Sequence, residues 1–148
     1  MRFLRLFKRL WCRHDDIQRK AFETAQTILS AHPDVKLIMA ICTPAVPGAA
    51  EAVKQAGRRD VKVIGLGLPN DNRQFVLDGI TETVILWNTM DLGYLTVHVA
   101  SALKNGTLHA GDTQITAGRL GPMQIAGDNV LLGEPFKFDK SNIEKFDF

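Results

Sequence analysis

Three short apolar runs, VKLIMAI (35–41), VKVIGL (61–66) and ETVILW (82–87), each separated from the next by one stretch of helical character, constrain this chain more than any other feature. Brief, nearly unbroken apolar runs are what parallel strands covered on both faces require. Ahead of the first run, residues 16–31 carry Ile17, Ala21, Ala25, Ile28 and Leu29 at helical spacing and stop before Pro33. PGAAEAVKQAG (47–57) reads as a helix opened by Pro47 and closed by Gly57. NDNRQFVLDG (70–79) reads as one capped by Asn70 and ended by Gly79. With connections of a few residues, this order is the pattern of right-handed crossovers in an open parallel sheet with flanking helices. The fold class expected is α/β.

A further helix follows over 91–105, with Leu92, Leu95, Val99 and Leu103 as its apolar stripe. Beyond it, glycines at 106, 111, 118, 121, 127 and 133 separate pieces such as QIT, MQIA and NVLL. Residues 111–148 therefore read as a short β-rich tail of small strands and turns.

Composition excludes whole classes of function. With 148 residues, 45% hydrophobic and 23% charged, the chain is neither disordered nor collagenous, and it can bury one core. A formal net charge of +2 is too small for general nucleic-acid binding. Cys12 and Cys42 form no spaced framework, and neither has a Cys or His at metal-ligand spacing, so no metal and no cofactor is expected. The longest charge-free apolar stretch, 37–50, falls short of the roughly 20 residues a spanning helix needs.

The charge is unevenly placed. Residues 1–20 hold seven basic and two acidic groups, leaving eleven basic against fourteen acidic in the rest. In MRFLRLFKRLWCR, Phe3, Leu4, Leu6, Phe7, Leu10 and Trp11 recur at helical spacing with Arg2, Arg5, Lys8 and Arg9 between them. This is a basic amphipathic segment, read either as an untethered terminus or as a surface for anionic membrane. Its apolar runs never exceed three residues, so it lacks the core of an export signal, and retention in the cytoplasm is one expectation.

In open α/β sheets a ligand lies outside the carboxyl ends of the strands, where loops converge and helix N-termini offer free N–H groups. The first run ends in Cys42, Thr43, Pro44 and Ala45, the second in Gly67, Leu68, Pro69 and Asn70, and the third in Trp87, Asn88 and Thr89. An indole, a hydroxyl and an amide without clustered acids, bases or metal ligands suit a neutral sugar, whose C–H face lies on the ring while its hydroxyls find polar partners. Trp87 is equally a residue that packs the sheet edge. Gly65 and Gly67 follow a strand, but the third glycine of a dinucleotide fingerprint would fall at Asn70, and Asp71 would repel a phosphate. His14, His32, His98 and His109 are isolated, with no nucleophile at a diagnostic spacing, so no enzyme is expected.

AQTILSAHPDVKLIMAICTPAVPGAAEAVKQAGRRDVKVIGLGLPNDNRQFVLDGITETVILWNTMDLG, with the ending LLGEPFKFDKSNIEKFDF, resembles the periplasmic sugar-binding proteins of ABC importers, in the branch that binds rhamnose and autoinducer-2. The likeness runs from about Asp15 to Phe148. It implies two α/β lobes that hold a sugar non-covalently between them and deliver it to an inner-membrane permease, with a periplasmic location. It places Thr43, Pro44 and Ala45 on the pocket side of the C-terminal lobe, Pro69 on the next pocket loop, Trp87 as a stacking aromatic and Asn88 as a polar contact at a hinge with Thr89. The domains it implies are a basic segment (1–14), a partial C-terminal lobe (15–88), an inter-lobe crossover helix (89–110) and the tail (111–148).

Such a protein needs about twice this length. The expectation is therefore a truncated or rearranged frame, with Arg13 and His14 standing where a pocket loop belongs. The helix at 91–105 would then lack a partner and favour self-association. A sugar-responsive transcriptional regulator shares the two-lobe fold, but one short basic segment cannot supply the two helices and turn of its DNA-binding part. A non-functional remnant is the other alternative.

Overall fold

The computed structural model describes residues 17–148, so the amphipathic segment and the substitutions at Arg13 and His14 lie outside the described residues. The elements run α1 (Ile17–Ala31), β1 (Leu37–Ala40), α2 (Ala45–Gln55), β2 (Lys62–Leu66), α3 (Pro69–Leu77), β3 (Thr81–Leu86), α4 (Thr89–Lys104), β4 (Gln114–Thr116), β5 (Pro122–Ala126), β6 (Asn129–Val130) and β7 (Phe136–Phe138). Short 3-10 turns occupy Gly118–Leu120 and Ile143–Lys145. The expected α/β alternation is present.

The chain divides into two compact units, Met1–Val84 with Phe138–Phe148, and Ile85–Lys137. Residues 111–148, expected as one tail, are thus shared between them. The four-stranded sheet has the order β1-β2-β3-β7.

In the first unit β1 and β2 pair in parallel, with Leu37 opposite Lys62 and Ala40 opposite Gly65. Right-handed crossovers between successive neighbours put α2 and α3 on one face of the sheet, and α1 packs against α2. Small and β-branched side chains fill this layer: Val46, Val53, Val61, Val63, Val76 and Val84 are all within 1% of full burial. Burying each contributes about 1.5–3 kcal/mol. Two close approaches are permitted by glycine alone. A Cβ on Gly48 would come 2.3 Å from the Gln18 carbonyl oxygen, and one on Gly65 would clash with the Ala40 carbonyl. The returning segment adds an aromatic cluster, Phe138 meeting Phe146 edge-on at 4.7 Å, with Ile143 fully buried beside it.

Helix starts depart from the sequence reading in instructive ways. Helix α2 begins at Ala45, two residues before Pro47, because the Ala45 N–H bonds the Cys42 carbonyl and a proline in the first turn forfeits no hydrogen bond. Helix α3 starts at Pro69 with Leu68 as its N-cap, and Asn70 is not the cap. The Asn70 side chain instead donates to Asp147 and accepts from Arg73. Helix α4 starts at Thr89, capped by Asn88, two residues ahead of Asp91.

The second unit holds α4 and the antiparallel strands β4, β5 and β6, paired Gln114 to Gln124 and Ile125 to Val130. Arg119 ties the 3-10 turn to the helix, pairing with Asp91 at 2.6 Å and lying 4.5 Å over the Tyr94 ring. The expected stripe is only partly covered: Leu95 is buried, while Leu92 and Leu103 join Met90 and Val97 among the exposed residues. The turn at Gly118 covers the Tyr94 and His98 side of α4.

Surface ion pairs of the first unit lower two carboxyl pKa values. The Arg58 guanidinium, and after it Lys36, holds the Asp60 carboxyl well below its ordinary 3.8, and Lys54 with Gln74 lowers Asp78. A carboxylate depressed in the folded state contributes stability that is complete above its unfolded value and is lost as pH falls through the folded one. The melting temperature is expected to fall as pH drops below about 4, and Asp60→Asn is expected to flatten that decline; a profile identical for parent and variant would contradict it.

Candidate functional site

The carboxyl ends of β1 and β2 place the first group of expected site residues. After β1 the chain turns through Cys42, Thr43 and Pro44 into α2, with Thr43, Pro44 and Ala45 half-buried. Thr43 stands two residues ahead of the first residue of α2. After β2, Gly67 and Pro69 are buried, and Leu68 is half-buried between them. Pro69 lies among the fully buried side chains, its ring opening α3, so the partly accessible surface of this loop is Leu68.

Trp87 follows β3 and is 40% exposed. Asn88 next to it uses Oδ1 to accept from the Met90 and Asp91 amides at 3.0 and 3.1 Å. Its acceptor is therefore committed to holding the start of α4, and Nδ2 is the atom left for a ligand. Trp87 and Asn88 belong to the second unit, whereas Thr43, Pro44, Ala45 and Pro69 belong to the first.

Asn72 was not foreseen. Fully buried in α3, it donates from Nδ2 to the Leu68 carbonyl at 3.0 Å, and its Oδ1 has no hydrogen-bond partner. A Cβ on Gly67 would come within 2.6 Å of the same Nδ2. The asparagine thereby pins the loop after β2. The only trace in the sequence is a polar residue inside a short helix behind Gly-Leu-Pro. The last residues brace the same loop, because the Asn70 N–H donates to the Phe148 oxygen and Arg73 donates to the Phe146 carbonyl.

The chemistry available at these positions is stacking and neutral hydrogen bonding. Among the described residues no three His, Cys, Asp or Glu side chains gather at metal-binding distance. One hollow of the first unit, about 560 Å³ lined by Lys54, Arg58, Arg59, Lys62 and Asp78, is at the amino end of β2, and another of about 900 Å³ lies between α1 and the end of α2, both away from the loops that follow β1 and β2.

Comparison with known proteins gives the family. The family model described as a periplasmic binding protein domain matches residues 10–108, two thirds of the chain. A sugar ABC transporter from Actinomyces odontolyticus superposes with a TM-score of 0.72 at 37% identity, covering 90% of this chain and 44% of that one. An ABC transporter solute-binding protein from Clostridium phytofermentas with bound L-rhamnose gives 0.75 at 32% identity, over 88% of this chain and 46% of its own. The D-apiose import binding protein of Paraburkholderia graminis is 36% identical over 69 residues, 47% of this chain and 22% of that protein. The chain thus spans less than half the length of the solved structures it matches. These relatives are sugar-binding transport proteins and not enzymes. A parallel sheet flanked by helices, loops at its strand ends free of acid–base groups, and a family match over two thirds of its length together place this chain in the periplasmic binding protein domain family.

Proposed function

We propose that the chain serves as sugar-binding component of a periplasmic ABC importer, taking a rhamnose-like 6-deoxyhexose and acting with an inner-membrane permease. The observation that carries the reading is Trp87, 40% exposed at the end of β3 and followed by Asn88, with no metal-binding cluster among the described residues. A deoxy sugar has an enlarged apolar face, and an indole is the side chain that gains most from covering it. In this reading Trp87 stacks on the sugar, Thr43 and Asn88 Nδ2 supply polar contacts, and Pro44, Ala45 and Pro69 shape the wall. The rhamnose-bound neighbour at 32% identity supports the choice of sugar. Autoinducer-2, a smaller and more polar ligand, is the competitor to include.

One wall buries only one side of a sugar, so affinity is expected near 1 mM or weaker, about 4 kcal/mol. Saturation-transfer NMR tests this directly. L-rhamnose is expected to receive saturation most strongly at its methyl and C–H face and to be displaced by no equal concentration of autoinducer-2. Absence of transfer at tens of millimolar sugar would overturn the reading.

The same reading predicts association through α4. Met90 and Val97 are 79% and 69% exposed, and Leu103 is 58% exposed. Light scattering should show mass rising with concentration, and Val97→Lys should suppress it. A chain that stays monomeric at every concentration would contradict this.

A further inference from the structure

The hollow of about 560 Å³ at the amino end of β2 carries a charge pattern that the sugar reading does not use. Lys54, Arg58, Arg59 and Lys62 line it, and Asp78 is the single acid of its lining. The backbone fixes where these side chains start. Gly57, in the left-handed region at φ +65°, turns the chain out of α2. The Arg58 N–H then donates to the Val53 carbonyl, and the Arg58 carbonyl accepts from Val61. This tight turn delivers Arg58, Arg59 and Lys62 together to one end of the sheet.

Two of the four cations are already balanced. Lys54 Nζ lies 3.0 Å from Asp78 Oδ2. The Arg58 guanidinium pairs with Asp60 at 2.9 Å and donates to the Pro33 and Val35 carbonyls, so it is committed to bracing the turn. The other two are not balanced. Lys62 Nζ donates to the Gly79 carbonyl, which leaves two of its three N–H groups, and it pairs with no carboxylate among the described residues. Arg59 is exposed and likewise pairs with no carboxylate among the described residues. The carbonyl ends of α2 and α3, which close at Gly57 and Gly79, bring about half a negative charge each, and two whole positive charges outweigh them. The excess is local, because the described residues together carry thirteen basic groups against fourteen acidic ones.

A concave site of this volume suits a small molecule. A guanidinium offers a planar fork to two phosphate oxygens, and an ammonium adds a point charge for a third. Half-buried Ile80 gives the lining an apolar part on which an organic group can rest. We propose that Arg59 and Lys62 bind a phosphate dianion in this hollow, free or as the head of a small monoester. The site lies at the end of β2 opposite the loops of the sugar reading and does not rest on that reading.

Amide NMR of the full chain, titrated with inorganic phosphate and with phenyl phosphate against sodium chloride at equal ionic strength, tests this. Shifts at Gly57, Arg59, Lys62 and Gly79 are expected to saturate at millimolar phosphate. Tighter phenyl phosphate assigns the hollow to monoesters and equal affinity assigns it to the free ion; either result carries the site. Arg59→Gln is expected to weaken binding about tenfold, the loss of one charge-assisted pair. Because Arg59 is exposed, that variant keeps the fold, whereas Lys62→Gln, which also loses the Gly79 contact, is read beside its far-UV dichroism. Shifts no larger than those with chloride, or an affinity unchanged in Arg59→Gln, would overturn the proposal. So would shifts spread evenly over Lys104, Lys137 and Lys140, which mark general screening. Binding of a hepta-glutamate peptide without any binding of phosphate would also overturn it, assigning the face to an acidic protein.

Discussion

Gly65→Ala is expected to destabilise the first unit by up to about 3 kcal/mol. The added carbon would stand 1.9 Å from the Ala40 carbonyl oxygen and 2.8 Å from Val46 Cγ2, so it meets backbone on one side and the buried start of α2 on the other. Neither neighbour can swing away, because Ala40 is paired to Gly65 in the sheet and Val46 is fully buried. Overpacking of a close-packed interior costs about 1–3 kcal/mol, and a clash with backbone belongs at the upper end. For a chain of this length that is roughly a 10 °C fall in melting temperature. Gly93→Ala provides the opposite sign, since nothing lies within 4 Å of its added carbon and α4 gains a better helix former. It should stabilise by about 0.5–1 kcal/mol. Thermal denaturation of the two variants checks both, and a Gly65→Ala chain that melts with the parent would show that β1 and β2 do not pair as described.

Trp87→Ala is expected to abolish detectable sugar binding. Stacking on an indole contributes about 0.5–1.5 kcal/mol beyond the area it covers, and at an affinity already near 1 mM that loss, up to about tenfold, together with the lost area leaves nothing measurable. Trp87→Phe should retain part of the signal, since a phenyl ring keeps a smaller face. The side chain is 40% exposed, so neither variant should lower the melting temperature by more than a few degrees. Unchanged rhamnose binding in Trp87→Ala would remove the indole from the site.

The alternation of strand and helix was legible because its signals are local. The runs at 35–41, 61–66 and 82–87 became β1, β2 and β3 with ends moved by two residues at most. Helix starts were less legible, since Asn70 has the chemistry of a cap yet Pro69 ahead of it has the fixed backbone angle that opens a helix. The uncovered side of α4 was only half legible. A heptad-like spacing marks which residues are apolar, but whether Leu95 or Leu103 is the buried one depends on where the Gly118 turn returns along the chain.

Site geometry was harder still. Thr43, Trp87 and Asn88 could be named from strand ends, but burial of Pro69 and the cap made by Asn88 depend on neighbours that no spacing rule reports. Asn72 was invisible for the same reason: its partner is the Leu68 carbonyl, a backbone group that carries no signature in the sequence.

Residue-resolved NMR of the full chain titrated with L-rhamnose probes the sugar wall most directly. Amide shifts confined to Thr43, Ala45, Leu68, Trp87 and Asn88, together with the Trp87 indole proton, are the predicted result. Shifts centred on Lys54, Arg58 and Lys62 at the amino end of β2, or none at saturating sugar, would contradict it.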